Sequence, residues 1–375
     1  MHTATVVTAA AATNPFEAEL KATAKYIATR GRGILASDES NATTGKRLES
    51  VGVENTEDNR RAWRQLLYSA PGLGQYISGA IMFEETLYQS SDEGVQFVDV
   101  LKKQGIVPGI KVDTGLQVLP GTDGETSTQG LDNLASRCEA YYKQGARFAK
   151  WRAVLKISDT GAAGPSSQAI LENAHGLARY AQICQANGLV PIVEPEITLG
   201  PGTYTIEDNA YWSERVYSHV MRLLNEYDVM LEGILLKPNM CLPGLDATPA
   251  SPADVAKYTT RTMLRCIPAS VPGIHFLSGG MSEEESTQNL QALQEACPNA
   301  PWSLTFSYGR ALQATTLKTW AGAPKGSQQW DAAQDILLKL AKANSEAQLG
   351  KYSGPHPVPG GGRILQALRF GGAGK

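Results

Sequence analysis

The sequence has little of what marks a membrane-spanning, disulfide-bonded or metal-binding protein. No apolar run approaches the ~20 residues that span a bilayer, so we expect no membrane segment. The five cysteines are widely spread and show no C-x-x-C pair, which argues against a disulfide framework or a zinc cluster and favours a reducing compartment. The five histidines show neither H-x-H nor H-E-x-x-H spacing, so we expect no metal and no cofactor.

Charge of either sign is also not in excess. With 34 basic and 37 acidic residues the net charge is -3, so neither nucleic acid nor an anionic membrane is an expected partner. Any bound anion must then be held by a local basic site. The chain has no Lys or Arg before Lys21, so the basic start of a targeting peptide is lacking, and we predict a disordered leader over residues 1–14.

Short apolar runs recur along the chain, and each is followed by a helical stretch. The runs cover residues 33–36, 77–83, 106–112, 148–155, 189–193, 233–236, 273–277 and 302–306. They begin roughly 30 to 45 residues apart, which is typical of βα units. Eight such units predict one closed (β/α)₈ TIM barrel over residues 15–350, followed by a flexible tail rich in Pro and Gly over 351–375. A doubly wound sheet is the alternative, but no G-x-G-x-x-G follows the first run.

Helix signals support this division. Apolar residues at 170, 174, 177, 181 and 184 make one helical stripe, Thr56 is a candidate N-cap, and Ser282 with Glu285 forms a capping box. Stretches rich in Pro and Gly at 120–130, 158–167, 200–205 and 241–252 follow predicted strands. In a barrel such loops lie at the C-terminal rim, where active sites are found.

Ionisable residues fall where barrel strands should be apolar. Lys111 and Asp113, Lys150 and Arg152, and Glu194 and Glu196 each share a strand face at a spacing of two, Lys237 ends an aliphatic run, and Asp38 ends the first strand. For one strand a salt bridge at the rim would explain such charges. For several strands of one polarity they predict a functional cluster at one mouth.

A lysine in such a cluster suits covalent chemistry with a carbonyl compound. The amine must be neutral to attack, and desolvation and neighbouring cations lower the pKa of an amine. Lys237 follows three aliphatic residues and is the candidate for a Schiff base, which would let a neighbouring C–C bond break. Glu194, Glu196 and Asp38 are the candidate acid–base groups.

The loops after the last two strands suggest phosphate binding. Ser278-Gly279-Gly280 closes the seventh run and Ser307-Tyr308-Gly309-Arg310 the eighth, where barrels commonly hold phosphate. Glu283, Glu284 and Glu285 would repel an anion, although helix capping accounts for them. With the separate pair Lys46-Arg47, the pattern indicates two basic ends and hence a bisphosphate.

Taken together, the motifs resemble class I fructose-1,6-bisphosphate aldolase of the plant and algal type, over residues 15–352. The segments that carry the resemblance are GILASDES at 33–40, VPIVEPE at 190–196, LLKPNM at 235–240, FLSGG at 276–280 and FSYGR at 306–310. It implies a Schiff-base lyase that reversibly cleaves fructose 1,6-bisphosphate to dihydroxyacetone phosphate and glyceraldehyde 3-phosphate. Glycolysis, gluconeogenesis or the Calvin cycle would be its setting, and a homotetramer its assembly.

Carried over by residue, the resemblance implies a role for each motif. The implied catalytic residues are Lys237 as the Schiff-base lysine, Glu194 as proton acceptor with Glu196 as its partner, Asp38 at the C4 hydroxyl, and Lys150. The implied substrate- and phosphate-binding residues are Thr43, Lys46, Arg47, Lys111, Arg152, Ser278, Gly279, Gly280, Ser307 and Arg310.

The sequence departs from the family at two places. The family usually ends in a tyrosine that assists proton transfer, but here the last tyrosine is Tyr352, and Thr114 stands where many relatives have lysine. A phosphosugar isomerase on the same barrel and a scaffold that binds cytoskeletal proteins remain alternatives. We expect a cytoplasmic location, with the plastid stroma, for a matured form, as the alternative.

Overall fold

The computed structural model describes residues 14–360, which fold into a closed parallel barrel with helices between its strands. The strands are β1 (Gly33–Ser37), β2 (Ile77–Met82), β3 (Val107–Lys111), β4 (Gly115–Val118), β5 (Thr126–Gln129), β6 (Phe148–Lys156), β7 (Val190–Thr198), β8 (Leu235–Leu236), β9 (Gly273–Phe276) and β10 (Ser303–Tyr308). The barrel order is β1-β10-β9-β8-β7-β6-β3-β2. The predicted (β/α)₈ TIM barrel is therefore confirmed.

Twelve helices surround the barrel within the described residues. They are α1 (Glu17–Ile27), α2 (Asn41–Glu49), α3 (Glu57–Tyr68), α4 (Glu84–Leu87), α5 (Phe97–Lys103), α6 (Leu134–Gln144), α7 (Ser167–Ala186), α8 (Ile206–Glu226), α9 (Pro252–Cys266), α10 (Glu283–Ala296), α11 (Arg310–Trp320) and α12 (Gln328–Gln348). The predicted caps are present, since Thr56 accepts from the amide of Asn59 and Ser282 forms a capping box with Glu285. The predicted stripe of α7 is buried.

All eight apolar runs contain a barrel strand, but two strand lengths differ from the prediction. Strand β7 continues past Glu194 and Glu196 to Thr198, because it pairs with β6 along its whole length. Strand β8 is only two residues long, because Gly233 belongs to a short 3₁₀ turn instead. Both differences concern the edge between β7 and β8, beside Lys237.

A two-stranded hairpin, β4–β5, stands where the sequence suggested a rim loop. The strands pair antiparallel from Gly115 opposite Gln129 to Val118 opposite Thr126. The residues of β5, Thr-Ser-Thr-Gln, include two β-branched threonines that favour a strand. The hairpin extends the wall of the barrel mouth directly after β3.

The barrel interior is apolar at its base and charged at its mouth. Ile34, Phe148, Ile192 and Leu235 fill the base, and α1 closes the floor with its buried Leu20, Ala24 and Ile27. Gly109 leaves room for the Phe148 ring, since a Cβ there would lie 2.2 Å from that ring. This filled base sets the charged groups above it at one level.

The predicted boundary between barrel and tail lies inside a segment that contacts the barrel. The Tyr352 amide donates to Gln291 at 3.1 Å, and buried His356 lies 3.2 Å from the Thr287 hydroxyl on α10. Residues 351–360 therefore lie against α10. Of the leader predicted over 1–14, residues 1–13 lie outside the described residues, while Asn14 is described and donates to the Gln185 oxygen. The remainder of the tail, 361–375, also lies outside the described residues, so both segments stay predictions.

Candidate active site

The predicted charges meet at the C-terminal mouth of the barrel, around a cavity of about 920 Å³. Its wall includes Asp38, Thr43, Lys46, Lys111, Lys150, Arg152, Glu194, Glu196, Lys237, Ser278, Gly279, Gly280, Ser307 and Arg310. The strand order explains this, because β3, β6, β7 and β8 are consecutive and each directs alternate side chains inward. Arg47 is the one predicted site residue that does not belong to this wall.

Four buried groups of alternating charge form a chain across the mouth. Lys150 Nζ lies 3.1 Å from Asp38 Oδ2 and 3.2 Å from Glu194 Oε2. Glu194 Oε1 lies in turn 3.4 Å from Lys237 Nζ. The side chains of Lys150, Glu194 and Lys237 are at most 6% exposed. Buried charges of this kind persist only when they are paired, and each of these four groups has a partner of opposite charge.

Lys150, which lies between Asp38 and Glu194, is held as a cation. Burial opposes the charge of Lys150, but the carboxylates of Asp38 and Glu194 outweigh it and raise the pKa of this amine above its usual range. Burial likewise opposes ionisation of Asp38, but Lys150 and Lys237 hold the pKa of its carboxyl well below its usual range. At neutral pH the two groups are therefore an ammonium and a carboxylate.

Glu196 is engaged differently from Glu194. It forms a close ion pair with Arg152 on β6, whose Nε donates to Glu196 Oε2. Burial opposes ionisation of Glu196, but Arg152 and more distant Lys150 and Lys237 outweigh it and lower the pKa of the carboxyl. The structure thus separates the two glutamates of β7, with Glu194 on the lysines and Glu196 on the guanidinium.

Lys111 is folded back on its own strand end. Its Nζ lies 2.8 Å from Asp113 Oδ1 and donates to the backbone oxygen of Asp113 at 2.9 Å. Asp113 also lines the cavity and is buried. Lys111 therefore brings its positive charge to the mouth in a fixed position.

One basic end of the cavity lies beside β9 and β10. The turn at Gly280 needs a φ of +81°, and a Cβ there would lie 2.1 Å from Leu199, so only glycine fits this approach. The Ser307 hydroxyl is buried without a hydrogen-bond partner among the described residues. Arg310 begins α11, so the N-terminus of that helix faces the cavity. This combination of amides, hydroxyl and guanidinium suits an anion.

The electrostatics of Arg310 point the same way. Burial lowers the pKa of Arg310, and repulsion by Arg47 and Arg152 adds to the effect, while Glu196 opposes it. Two other arginines are thus close enough to destabilise its charge. An anion bound beside Arg310 would relieve that repulsion.

The second basic end lies on α2, directly after β1. Ser40 caps this helix by accepting from the amide of Thr43, and Thr43 and Lys46 line the cavity at a spacing of three, on one helix face. The N-terminus of α2 therefore also faces the cavity. A second anion could bind here, at Thr43 and Lys46.

Reasoning from the sequence missed two residues at this end, Glu39 and Arg64. Arg47 forms a close ion pair with Glu39, and Glu39 is also 2.9 Å from the buried guanidinium of Arg64. Burial opposes ionisation of Glu39, but these arginines outweigh it and lower the pKa of its carboxyl. Glu39 follows Asp38 directly, which was the available signal. For Arg64, on α3, no signal was present in the sequence.

The three acidic residues at the start of α10 accept hydrogen bonds from neighbouring backbone and side-chain groups. Glu283 accepts from the amide and the hydroxyl of Thr315, at 3.0 and 2.6 Å. Glu285 accepts from the amide of Ser282 within the capping box, and Glu284 accepts from the amide of Gly360. Capping was predicted to account for all three, but only Glu285 caps the helix, while Glu283 binds Thr315 and Glu284 binds Gly360. With their oxygens engaged in these bonds, the three glutamates are compatible with phosphate binding at Ser278.

Fold and site together define an enzyme of the (β/α)₈ class, with a buried amine between carboxylates and a basic group at each end of its cavity. Comparison with known proteins narrows this class. A family model described as fructose-bisphosphate aldolase class-I matches residues 19–362.

Relatives and a solved structure agree with the family match. The chain is 56% identical over 342 residues to fructose-bisphosphate aldolase 6, cytosolic, of Arabidopsis thaliana, covering 91% of this chain and 94% of the relative. It is 56% identical over 336 residues to the cytoplasmic isozyme of Spinacia oleracea, covering 90% and 92%. A co-crystal structure of the Plasmodium falciparum aldolase with TRAP and an inhibitor superposes with a TM-score of 0.87 at 51% identity, covering 90% and 96%. The chain belongs to the class-I fructose-bisphosphate aldolase family and is a lyase.

Proposed function

We propose that this chain reversibly cleaves fructose 1,6-bisphosphate to dihydroxyacetone phosphate and glyceraldehyde 3-phosphate, through a Schiff base on Lys237. Family membership supports the reaction. The observation that carries the mechanism is the position of Lys237, whose amine is buried in the cavity wall and 3.4 Å from the carboxylate of Glu194. Fixed amine and carboxylate can serve as nucleophile and proton acceptor.

The proposed steps follow from this geometry. The Lys237 amine attacks the C2 carbonyl and water leaves, which forms the imine. A carboxylate takes the C4 hydroxyl proton, the C3–C4 bond breaks, and its electron pair moves into the imine to give an enamine with release of the aldehyde. The enamine is then protonated at C3, and water hydrolyses the imine to release the ketone and restore the lysine.

Neighbouring charges are suited to separate steps. Glu194 lies between the two lysines and can move the protons of imine formation, since it contacts Lys237 directly. Asp38 is ionised and can accept the C4 hydroxyl proton, and Lys150 offers a cation to the oxygen that becomes negative. Lys111 and the Arg152–Glu196 pair lie on the adjacent strands, where they can orient the sugar hydroxyls.

The two basic ends explain why the substrate carries two phosphates. One phosphate would bind Ser278, Gly279, Gly280, Ser307 and Arg310, and the other Thr43 and Lys46, each at a helix N-terminus. Arg47 would join the second site by leaving Glu39, since its side chain is 22% exposed and at the rim.

Replacement of Lys237 tests the mechanism. Lys237→Ala should abolish cleavage and should abolish the adduct that borohydride traps with dihydroxyacetone phosphate, while Lys339→Ala, a surface control paired with Asp335, should keep both. Cleavage by the Lys237→Ala variant would refute the proposal. A phosphosugar isomerase needs no imine, so the absence of a trapped adduct in the wild type would favour that alternative.

A role only as a cytoskeletal scaffold is disfavoured by the same cluster. A surface for protein binding does not require four buried groups of alternating charge, which cost free energy to desolvate. Their retention in an open cavity is explained by catalysis. A scaffold would be indicated if the wild-type chain bound cytoskeletal protein but neither cleaved the substrate nor formed an imine.

We further propose a homotetramer located in the cytoplasm. Exposed apolar side chains on adjacent helices, Tyr211 at 52% on α8 and Leu264 at 56% on α9, support an interface between copies. Light scattering should report a tetramer. The double variant Tyr211→Ser with Leu264→Ser should dissociate it, and the control Tyr88→Ser should leave it intact.

The compartment is supported by relatives that are named cytosolic or cytoplasmic, and nothing supports the plastid alternative. Within residues 14–360, no helix is both long and apolar enough to cross a membrane.

A further inference from the structure

We propose that Asn239 is a positioning residue that fixes the distance between the Lys237 amine and the carboxylates of β7. The inference rests on the proposed function, since it assigns a reason to the spacing of those groups. It concerns the edge between β7 and β8, where the backbone hydrogen bonds between the two strands stop well before the end of β7.

The ladder at this edge stops before the catalytic groups. Strand β7 pairs with β6 over its full nine residues, but with β8 only at Ile192 and Val193. One further bond, from the Lys237 amide to the Val193 oxygen at 2.8 Å, extends it. Residues two apart direct their amides to the same edge, so Pro195 occupies the next donor position on β7, and proline has no amide hydrogen.

The side chain of Asn239 closes the gap beyond Pro195. Its Oδ1 accepts from the Ile197 amide at 2.9 Å and from the Tyr217 hydroxyl at 3.3 Å, and its Nδ2 donates to the Met240 oxygen at 3.0 Å. The residue is 5% exposed, so water does not compete for these bonds. An amide side chain thus replaces the missing backbone link between β7 and the chain after β8.

The opposite edge of the same segment is held by backbone. The Pro238 oxygen accepts from the Leu277 amide on the β9 side at 3.0 Å. The segment from Lys237 to Asn239 is therefore tied to both neighbours. Beyond the bond of the Lys237 amide, its hydrogen bond to β7 passes through the Asn239 side chain. Because Ile197 follows Glu196 directly, loss of that bond leaves the end of β7 held by β6 alone and loosens its position relative to Lys237.

A small displacement at this edge should affect the rate more than substrate binding. Misplacement of reacting groups by about 1 Å can cost ~100-fold in rate. The groups proposed to bind phosphate lie on α2, α11 and the loop after β9, and the hydrogen bonds of Asn239 go to Ile197, Tyr217 and Met240 instead. We therefore expect Asn239→Ala to lower kcat by ~10- to 100-fold with KM for fructose 1,6-bisphosphate unchanged.

Asn344→Ala is the matched control. Asn344 is fully buried on α12, accepts from Thr287 and donates to the Leu340 oxygen, and lies outside the cavity wall. Both alanine variants should lose thermal stability, but only Asn239→Ala should slow cleavage and slow borohydride trapping with dihydroxyacetone phosphate. Asn239→Asp keeps the acceptor oxygen and should recover part of kcat.

The outcomes separate this inference from the proposed function. If the wild type forms a trapped adduct and Asn239→Ala matches it in both trapping and kcat, the positioning role of Asn239 is overturned and the proposed function stands. No adduct in the wild type overturns the proposed function and this inference with it. If Asn239→Ala does not fold, Tyr217→Phe, which removes the second donor to the Asn239 oxygen, carries the test. A lower kcat at constant KM then supports the proposal, and an unchanged kcat overturns it.

Discussion

Lys150 Nζ lies 3.1 Å from Asp38 Oδ2, although 112 positions of sequence separate the two residues. One stands on β6 and the other directly after β1, so only closure of the barrel brings them together. The pair keeps Lys150 charged inside the cavity and keeps Asp38 ionised beside it. It is the contact on which the charge order of the site depends.

Removal of the central cation should separate imine formation from bond cleavage. Lys150→Met leaves Asp38 and Glu194 without their shared partner, so we expect kcat to fall by ~100-fold or more because a fixed charge no longer stabilises the reacting oxygen. Borohydride should still trap an adduct, since Lys237 is intact. Steady-state kinetics and trapping of the same sample measure both. Equal loss of adduct and turnover would contradict the assignment of Lys150 to the cleavage step.

The Arg310 side chain should matter in proportion to the phosphate it binds. Arg310→Ala should lower kcat/KM for fructose 1,6-bisphosphate by ~10- to 100-fold, because a hydrogen bond to a charged group contributes about 1.5–3 kcal/mol. A substrate without phosphate should be cleaved at nearly the wild-type rate. Arg222→Ala, an exposed arginine paired with Glu226, is the control. Equal losses on both substrates would assign Arg310 a structural role.

His275 should make the protein less stable in acid. It is fully buried on β9, and burial lowers its pKa from 6.5 to about 4. Between these two values the unfolded chain binds a proton that the folded chain does not, so folding stability falls as pH drops from 6.5 to 4, by about 3 kcal/mol in all. At higher pH both states are neutral and the effect is absent.

Urea unfolding at a series of pH values checks this. The stability of wild type relative to His275→Val should decline as pH falls from 6.5 to 4 and stay constant above that window. His175→Asn, at an exposed histidine on α7, should keep the wild-type slope. If wild type and His275→Val lose stability in parallel, His275 is not the group that titrates.

Residues 351–360 should contribute to the stability of the fold, and Tyr352 within them should not contribute to turnover. Tyr352 lies against α10 and is not part of the cavity wall, so Tyr352→Phe should keep kcat and KM. Ending the chain after Tyr352 should lower Tm, because it removes the buried His356 and its contact with Thr287. Ending it after Gly360 keeps that contact and should give a higher Tm than ending it after Tyr352.

Kinetic assays of Tyr352→Phe and thermal melts of the two truncated chains test these expectations. A large fall in kcat for Tyr352→Phe, with substrate binding retained, would show that this tyrosine takes part in proton transfer. Equal Tm values for the two truncated chains would show that residues 353–360 add no stability.

The sequence determined the elements and much of the site. Strand and helix positions follow from apolar periodicity and capping residues, which act over a few neighbouring positions and are legible locally. Alternation within strands also predicted that Lys150 with Arg152, and Glu194 with Glu196, would face one mouth. The glycines and arginine after the last two strands indicated an anion site in the same way.

Only the tertiary structure decided which groups are partners. That Glu194 joins two lysines while Glu196 pairs with Arg152 depends on the order and register of β6, β7 and β8. The pairing of Arg47 with Glu39, and the bridge from Asn239 to Ile197, also join separate elements. Ion pairs and side-chain bridges are set by distances of a few ångströms in space, and such distances exist only after the barrel has closed.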